Sequence, residues 1–337
     1  MRKKIEKILI FVVTAMVLVS VHFYTVFHTP VSNDMTPKTV NVAPGASFGV
    51  IADNLVGLGV LKSTDGFVLA ASFKNAKKKI KAGEYELTSS MTPVEVLDIL
   101  VEGRVKRYFV TIPEGYNIKE IAATIENAGL VKKEEFLKSA FDKNFARSLG
   151  FEGLEGYLFP DTYQFAKSAG AEEIIKKMIG RFNQVYDAEF KAKSESKGIG
   201  KKELITLASI IEKESGNALE MPRVAAVFRN RLKKRMPLQS DPTVIYGIKD
   251  FDGNLTRAHL KQPTSYNTYV KFGLPPTPIA NPGKAAIEAA LNPANENYLY
   301  FVSKNDGTHY FSSTLTEHNS AVEIYQKSLI KKTQRTM

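Results

Sequence analysis

Leu204–Ser215 reads LITLASIIEKES, and its apolar residues recur at helical spacing. Leu204, Leu207, Ala208 and Ile211 fall on one stripe of a 3.6-residue helix. Where the stripe should continue, the chain puts carboxylates, Glu212 and Glu214. A carboxylate at the edge of an apolar face is costly to ionise, so its pKa should rise towards that of a general acid. The two glutamates stand about 200° apart around the helix axis. Each flanks the stripe, and periodicity does not choose between them. A charged helix end with neither residue chemically active satisfies the same spacing.

Three polar-aromatic segments follow: QSDPTVIYG at Gln239–Gly247, YNTY at Tyr266–Tyr269 and GLPPTPIANPG at Gly273–Gly283. An acid facing such a wall suits a carbohydrate cleft. Gln239, Ser240 and Asp241 can hydrogen-bond sugar hydroxyls or acetamido groups. Tyr246, Tyr266 and Tyr269 can stack on pyranose faces, and Asn267 can donate to a substrate carbonyl. Each also has a plain structural reading, Asp-Pro as a turn or helix cap and Tyr as core with a satisfied hydroxyl. Pro275–Pro278 reads as a stiffened loop. Glu155 and Asp161, in the aromatic stretch Leu154–Tyr163 (LEGYLFPDTY), are further candidates.

Around this centre the spacing predicts helices at about 171–193, 202–214 and 220–235. Short loops and strands should fill 240–283. A helix at 283–292, a hairpin of 298–302 with 309–312 and a final helix at 316–331 complete the expected catalytic domain, 150–331.

Upstream, two stretches look alike. Val40–Ala52 (VNVAPGASFGVIA) and Val110–Ala122 (VTIPEGYNIKEIA) each run from a short alternating strand through a Gly turn into an apolar-periodic helix. Ser47 and Asn117 stand where an N-cap belongs, and Gly59 and Gly129 where a helix end needs a left-handed residue. Two copies are too few for a solenoid. The first copy closes with a strand at Ala82–Leu87 and a helix opened by Thr92-Pro93. Its strand–helix–helix–strand order, 39–105, resembles a LysM-like module, which implies a grip on N-acetylglucosamine-containing chains; a spacer is the plainer reading. Residues 106–149 form the second strand–helix module.

Ile8–Phe27 is an apolar run long enough to cross ~30 Å of hydrocarbon as a helix. Arg2, Lys3, Lys4 and Lys7 precede it, which by the positive-inside rule keeps residues 1–7 cytoplasmic and the bulk of the chain on the far side. The bulky His22–His28 stretch lacks a small-residue cleavage site and favours an uncleaved single-pass anchor over a signal peptide. Residues 28–38 read as a linker.

The chain has 337 residues, 44% of them hydrophobic, which accommodates an anchor and about two domains. It contains no cysteine, which rules out disulfides and thiolate metal sites. The net charge of +11 comes mostly from scattered lysines, with runs such as Lys77–Lys79. These read as solvated faces, or as attraction to an anionic polymer or membrane surface. No nucleic-acid motif accompanies them. His259, His309 and His318 have no metal-ligand spacing, and there is no Gly-x-Ser-x-Gly or phosphate loop. No metal or cofactor is expected.

LASIIEKES, LQSDPTVIYG, YNTY, GLPP and Asn292-Pro293-Ala294, in that order, resemble the YceG-like family of membrane-anchored endolytic murein transglycosylases. The likeness spans nearly the whole chain and includes the anchor and the LEGYLFPDTY loop. It implies an α+β protein with an N-terminal transmembrane helix, a LysM-like module and a mostly helical catalytic domain with short strands. It also implies that the catalytic acid is the Glu directly before Ser in Glu-Lys-Glu-Ser, which is Glu214 followed by Ser215. The substrate would be peptidoglycan glycan strands, cut with formation of 1,6-anhydro ends. The site would face the periplasm or outer surface of the inner membrane, with peptidoglycan synthases as possible partners. A muramidase that admits water and a non-catalytic glycan-binding scaffold are the alternatives.

Overall fold

The structure, a computed structural model, describes residues 2–327. It is a mixed α and β protein dominated by helix. In chain order the elements are α1 (Arg2–His28), β1 (Lys38–Val42), α2 (Phe48–Gly57), α3 (Thr64–Phe73), β2 (Gly83–Leu87), α4 (Pro93–Glu102) and β3 (Arg107–Thr111). They continue with α5 (Ile118–Asn127), α6 (Lys133–Ala140), α7 (Lys143–Ser148), β4 (Thr162–Ala166), α8 (Ala171–Val185), α9 (Lys191–Ser196) and α10 (Lys201–Glu214). The last are α11 (Met221–Lys233), α12 (Asp241–Gly247), α13 (Lys284–Leu291), β5 (Tyr300–Ser303), β6 (His309–Ser312) and α14 (Leu315–Val322). A π-helical turn at Tyr186–Phe190 carries α8 into α9, and another at Glu323–Lys327 follows α14. The rest of the expected final helix, 328–331, lies outside the described residues.

The chain divides into two compact units. The first comprises residues up to Tyr108 with Gln164–Ser168; the second comprises Phe109–Tyr163 and the residues from Ala169 onward.

In the first unit, one helix, Lys4–His28, is long and apolar enough to cross a membrane. Beyond it, β1 and β2 pair antiparallel with Val40 opposite Tyr85. Strand alternation turns Val40, Val42, Tyr85 and Leu87 inward, where they meet Leu55, Phe67, Leu97 and Leu100, all buried. Tyr85 is fully buried because its hydroxyl donates to the Lys81 carbonyl at 2.6 Å. The expected caps form. Ser47 accepts the Val50 N–H, and Thr92 with Glu95 closes a reciprocal capping box ahead of Pro93.

The second unit repeats the sequence of events. β3 leads through a turn into α5, where Asn117 and Glu120 form another capping box. β4 pairs with β3. The unit's centre is α10. Its expected apolar stripe is too narrow a description, since every residue from Leu204 to Ile211 is buried. α10 packs against α11, α12 and α13. Thr206 and Ser209 tolerate this because their hydroxyls donate back to the Lys202 and Thr206 carbonyls, and Ser209 also receives the Ile279 N–H at 3.1 Å. A second correction concerns 240–283. Asp241–Gly247 (DPTVIYG) is not loop or strand but helix α12, with Asp241 and Pro242 in its first turn, the position where proline favours a helix start.

Candidate active site

α10 ends at Glu214, and the two carboxylates of its last turn have different surroundings. Glu212 is half-buried, and the Gly283 N–H at the start of α13 donates to its Oε2 at 2.9 Å. Burial, opposed by that hydrogen bond and helped by the nearby Glu114 charge, raises its pKa to about 6. The exposed Glu114 carboxylate lies over Gly283, where a Cβ would have to push it aside. Glu212 thus fastens two helices together.

Glu214 opens instead into a cavity of about 250 Å³, lined among others by Arg231, Gln239, Asp241, Tyr269, Phe301 and His318. Its Oε1 accepts a 2.5 Å hydrogen bond from the Ser240 hydroxyl. Burial pushes its pKa up to about 7; the Ser240 hydrogen bond pulls it down, and the neighbouring Asp241 charge pushes it up again. A carboxyl poised there can give a proton and take one back.

The wall is assembled by hydrogen bonds between segments distant in sequence. Thr268 Oγ1 accepts the Ser240 N–H at 3.0 Å, and its carbonyl accepts the Gln239 N–H at 3.1 Å. Tyr269 donates its hydroxyl to Asp241 Oδ1 at 2.6 Å. Gln239 holds a left-handed backbone, φ 53°, uncommon for a residue with a side chain. Arg231 braces this turn. Its guanidinium donates to the carbonyls of Leu299 at 2.7 Å and Leu238 at 2.9 Å, and to Gln239 Oε1 at 3.2 Å. His309 Nδ1 pairs with Glu220 at 2.8 Å behind the site.

Two expected contact residues are occupied elsewhere. Ser215 is 1% exposed, and its hydroxyl exchanges hydrogen bonds with the Asn217 backbone. Asn267 is fully buried; its Nδ2 donates to the carbonyls of His259, Leu260 and Gln262, and its Oδ1 accepts the Tyr269 N–H. Both organise loops.

Tyr246 and Tyr266 stand at the other end of α12, away from Glu214, on a larger cavity of about 730 Å³. Their rings meet at 4.9 Å between centroids. Tyr246 donates its hydroxyl to Glu155 Oε2 at 2.9 Å, and Tyr266 shares a hydrogen with Thr277 at 2.7 Å. Glu155, 7% exposed, also accepts the Ile118 N–H at 3.1 Å and an Asn281 amide hydrogen at 3.2 Å. Burial raises its pKa to about 7. Asn281 further receives the Leu158 N–H, so the two residues knot three loops into one buried polar node. Asp161, in contrast, is an ordinary ion-pair partner of Arg181 at 2.7 Å.

Sequence reasoning missed Arg231, Glu220 and Asn281. Arg231 did leave a signal, a cation among the apolar positions of α11. Among the described residues, no cluster of His, Cys, Asp or Glu could hold a metal ion.

The sequence and the architecture match a known group of proteins. The profile of the YceG-like family matches residues 40–324. An endolytic murein transglycosylase of Bacillus subtilis is 36% identical over 318 residues, which cover 89% of this chain and 88% of that protein. One from Streptococcus pneumoniae is 30% identical over 88% of this chain, which spans only 60% of the longer streptococcal protein. The crystal structure of a yceG-like protein from Listeria monocytogenes superposes with a TM-score of 0.60 at 33% identity, covering 85% of this chain and 99% of that one. The chain belongs to the YceG-like family.

Proposed function

We propose that the protein is an endolytic murein transglycosylase that cuts the β-1,4 bond between N-acetylmuramic acid and N-acetylglucosamine within glycan strands. The observation that carries this reading is Glu214, a carboxyl with its pKa raised to about 7 that opens into a polar-aromatic cavity at the end of a buried helix, in a chain of this family.

Glu214 first gives its proton to the leaving glycosidic oxygen, and the bond to the muramyl anomeric carbon breaks. The resulting carboxylate then takes the proton of the muramyl C6 hydroxyl. That oxygen closes on the anomeric carbon, giving a 1,6-anhydro end; the acid is restored and no water is consumed. The sugar's own acetamido group stabilises the oxocarbenium-like centre, so a second catalytic carboxylate is not needed. Asp241 and Tyr269, hydrogen-bonded to each other on the cavity wall, hold that acetamido group, and Gln239 meets a sugar hydroxyl. Ser240 orients the acid. Tyr246 and Tyr266 supply a stacking surface further along the strand. Ser215 and Asn267 keep their loops in shape rather than touching sugar.

The first unit's strand–helix–helix–strand portion serves as a LysM-like glycan grip. α1 anchors the chain as a single pass in the inner membrane, with its basic N-terminal residues in the cytoplasm and the catalytic portion outside. Cutting nascent strands beside their synthases would limit strand length.

The test compares Glu214→Gln with Glu212→Gln on purified glycan strands. Glu214→Gln should lower turnover about 10²–10⁴-fold with the melting temperature retained. Glu212→Gln should keep turnover, because its amide oxygen can still accept the Gly283 N–H. The reverse pattern would move the acid to Glu212.

A further inference from the structure

α3 ends at Phe73, and the next residues are Lys74, Asn75, Ala76 and the run Lys77–Lys79. Within the first unit this end of α3 lies against the outer end of α1. Phe73 meets Phe23 and Phe27 edge-on, with centroids 6.3 and 5.9 Å apart. The approach is close, since a side chain at Gly66 would run into the Val26 carbonyl.

At 1.5 Å per residue the apolar run Ile8–Phe27 covers ~30 Å, so Phe23 and Phe27 occupy its last turns. That is the depth at which hydrocarbon gives way to headgroups, and Phe73 is held there. It is nonetheless 72% exposed, which suits an aromatic ring at a membrane interface better than one in water. The lysines after it are unevenly used. Lys74 is neutralised by Asp98 at 2.7 Å, and Lys77 lies over the Phe48 ring at 5.8 Å. Lys78 and Lys79 are exposed and make no side-chain hydrogen bond or ion pair among the described residues. An aromatic at interfacial depth followed by free cations is complementary to an anionic lipid surface.

We propose that Phe73–Lys79 is a second membrane contact, in which Phe73 seats in the bilayer interface and Lys77–Lys79 meet the phosphates of anionic phospholipids. It rests on the reading of α1 as a transmembrane anchor. The first unit would then lie on the bilayer rather than swing above it.

Because the chain has no cysteine, an introduced one carries a unique fluorescent label. The full chain, as Leu18→Cys or Lys78→Cys, is reconstituted into phosphatidylcholine nanodiscs with or without phosphatidylglycerol. Leu18 reports the anchor through a quencher on the acyl chain; Lys78 reports the contact through a quencher on the headgroup. The Leu18 label should be quenched in both membranes. The Lys78 label should be quenched several-fold more strongly with phosphatidylglycerol, and adding Lys77→Glu and Lys79→Glu should abolish the difference. A quenched Leu18 label beside an unquenched Lys78 label would overturn the contact. Equal Lys78 quenching in both membranes would overturn recognition of anionic phospholipids, since phosphatidylcholine carries a phosphate without net charge. An unquenched Leu18 label would overturn the anchor itself.

Discussion

Glu212 and Glu214 leave α10 in the same turn, and only their partners separate them. Glu212 receives a backbone N–H from 71 residues away, Glu214 a hydroxyl from 26 residues away. No local pattern encodes those distances, which is why spacing left the pair undecided and only the family motif favoured Glu214. The raised pKa of a helix-end carboxylate was legible, because burial of the stripe dictates it. Two predictions belong here. With Glu214 acting first as an acid of pKa about 7, kcat/KM should fall as pH rises above about 7. Ser240 donates to the carboxylate and so favours its ionised form; Ser240→Ala should raise that pKa and move the alkaline limb to higher pH. A pH–rate profile of both proteins checks this, and an unmoved limb would argue against Glu214 as the titrating acid. The third prediction concerns Glu155. Its pKa is about 7 in the fold against 4.5 when unperturbed, so the folded state binds more protons between those values. Stability from this group is therefore full below about pH 4.5 and is lost as pH rises through about 7. Melting temperature followed across that window should fall with rising pH, and less steeply in Glu155→Gln.

Helices with strong local signatures were readable as elements. The capped starts at Ser47, Thr92 and Asn117 formed as the sequence demanded, because each is satisfied by atoms within three residues. α12 was missed because its polar-aromatic composition suggested a binding loop, whereas Asp241-Pro242 opens a helix. The breadth of α10's burial was missed because Thr206 and Ser209 count as polar in a periodicity, yet satisfy themselves on the helix backbone. The seam between α10 and α13 is the element on which the site depends, and the Gly283 N–H bonded to Glu212 ties it together. Gly283→Ala meets only the end of the exposed Glu114 side chain, so it should change stability by less than about 1 kcal/mol. Denaturant unfolding checks this, and a midpoint that falls by more would mean that Glu114 is held in place.

At the scale of the whole molecule, the apolar N-terminal run and the repeated strand–helix stretches were visible from patterning alone. The return of Gln164–Ser168 to the first unit was not, since nothing local marks a strand that pairs back across so much chain. On the proposed mechanism, Glu214 at the end of α10 closes a ring instead of admitting water. The direct measurement is the mass of the new ends released when the purified full chain digests uncrosslinked glycan strands. Muramyl ends lighter by one water than the reducing sugar, absent with Glu214→Gln, are predicted; reducing muramyl ends, or strands left uncut by the unaltered protein, would contradict it.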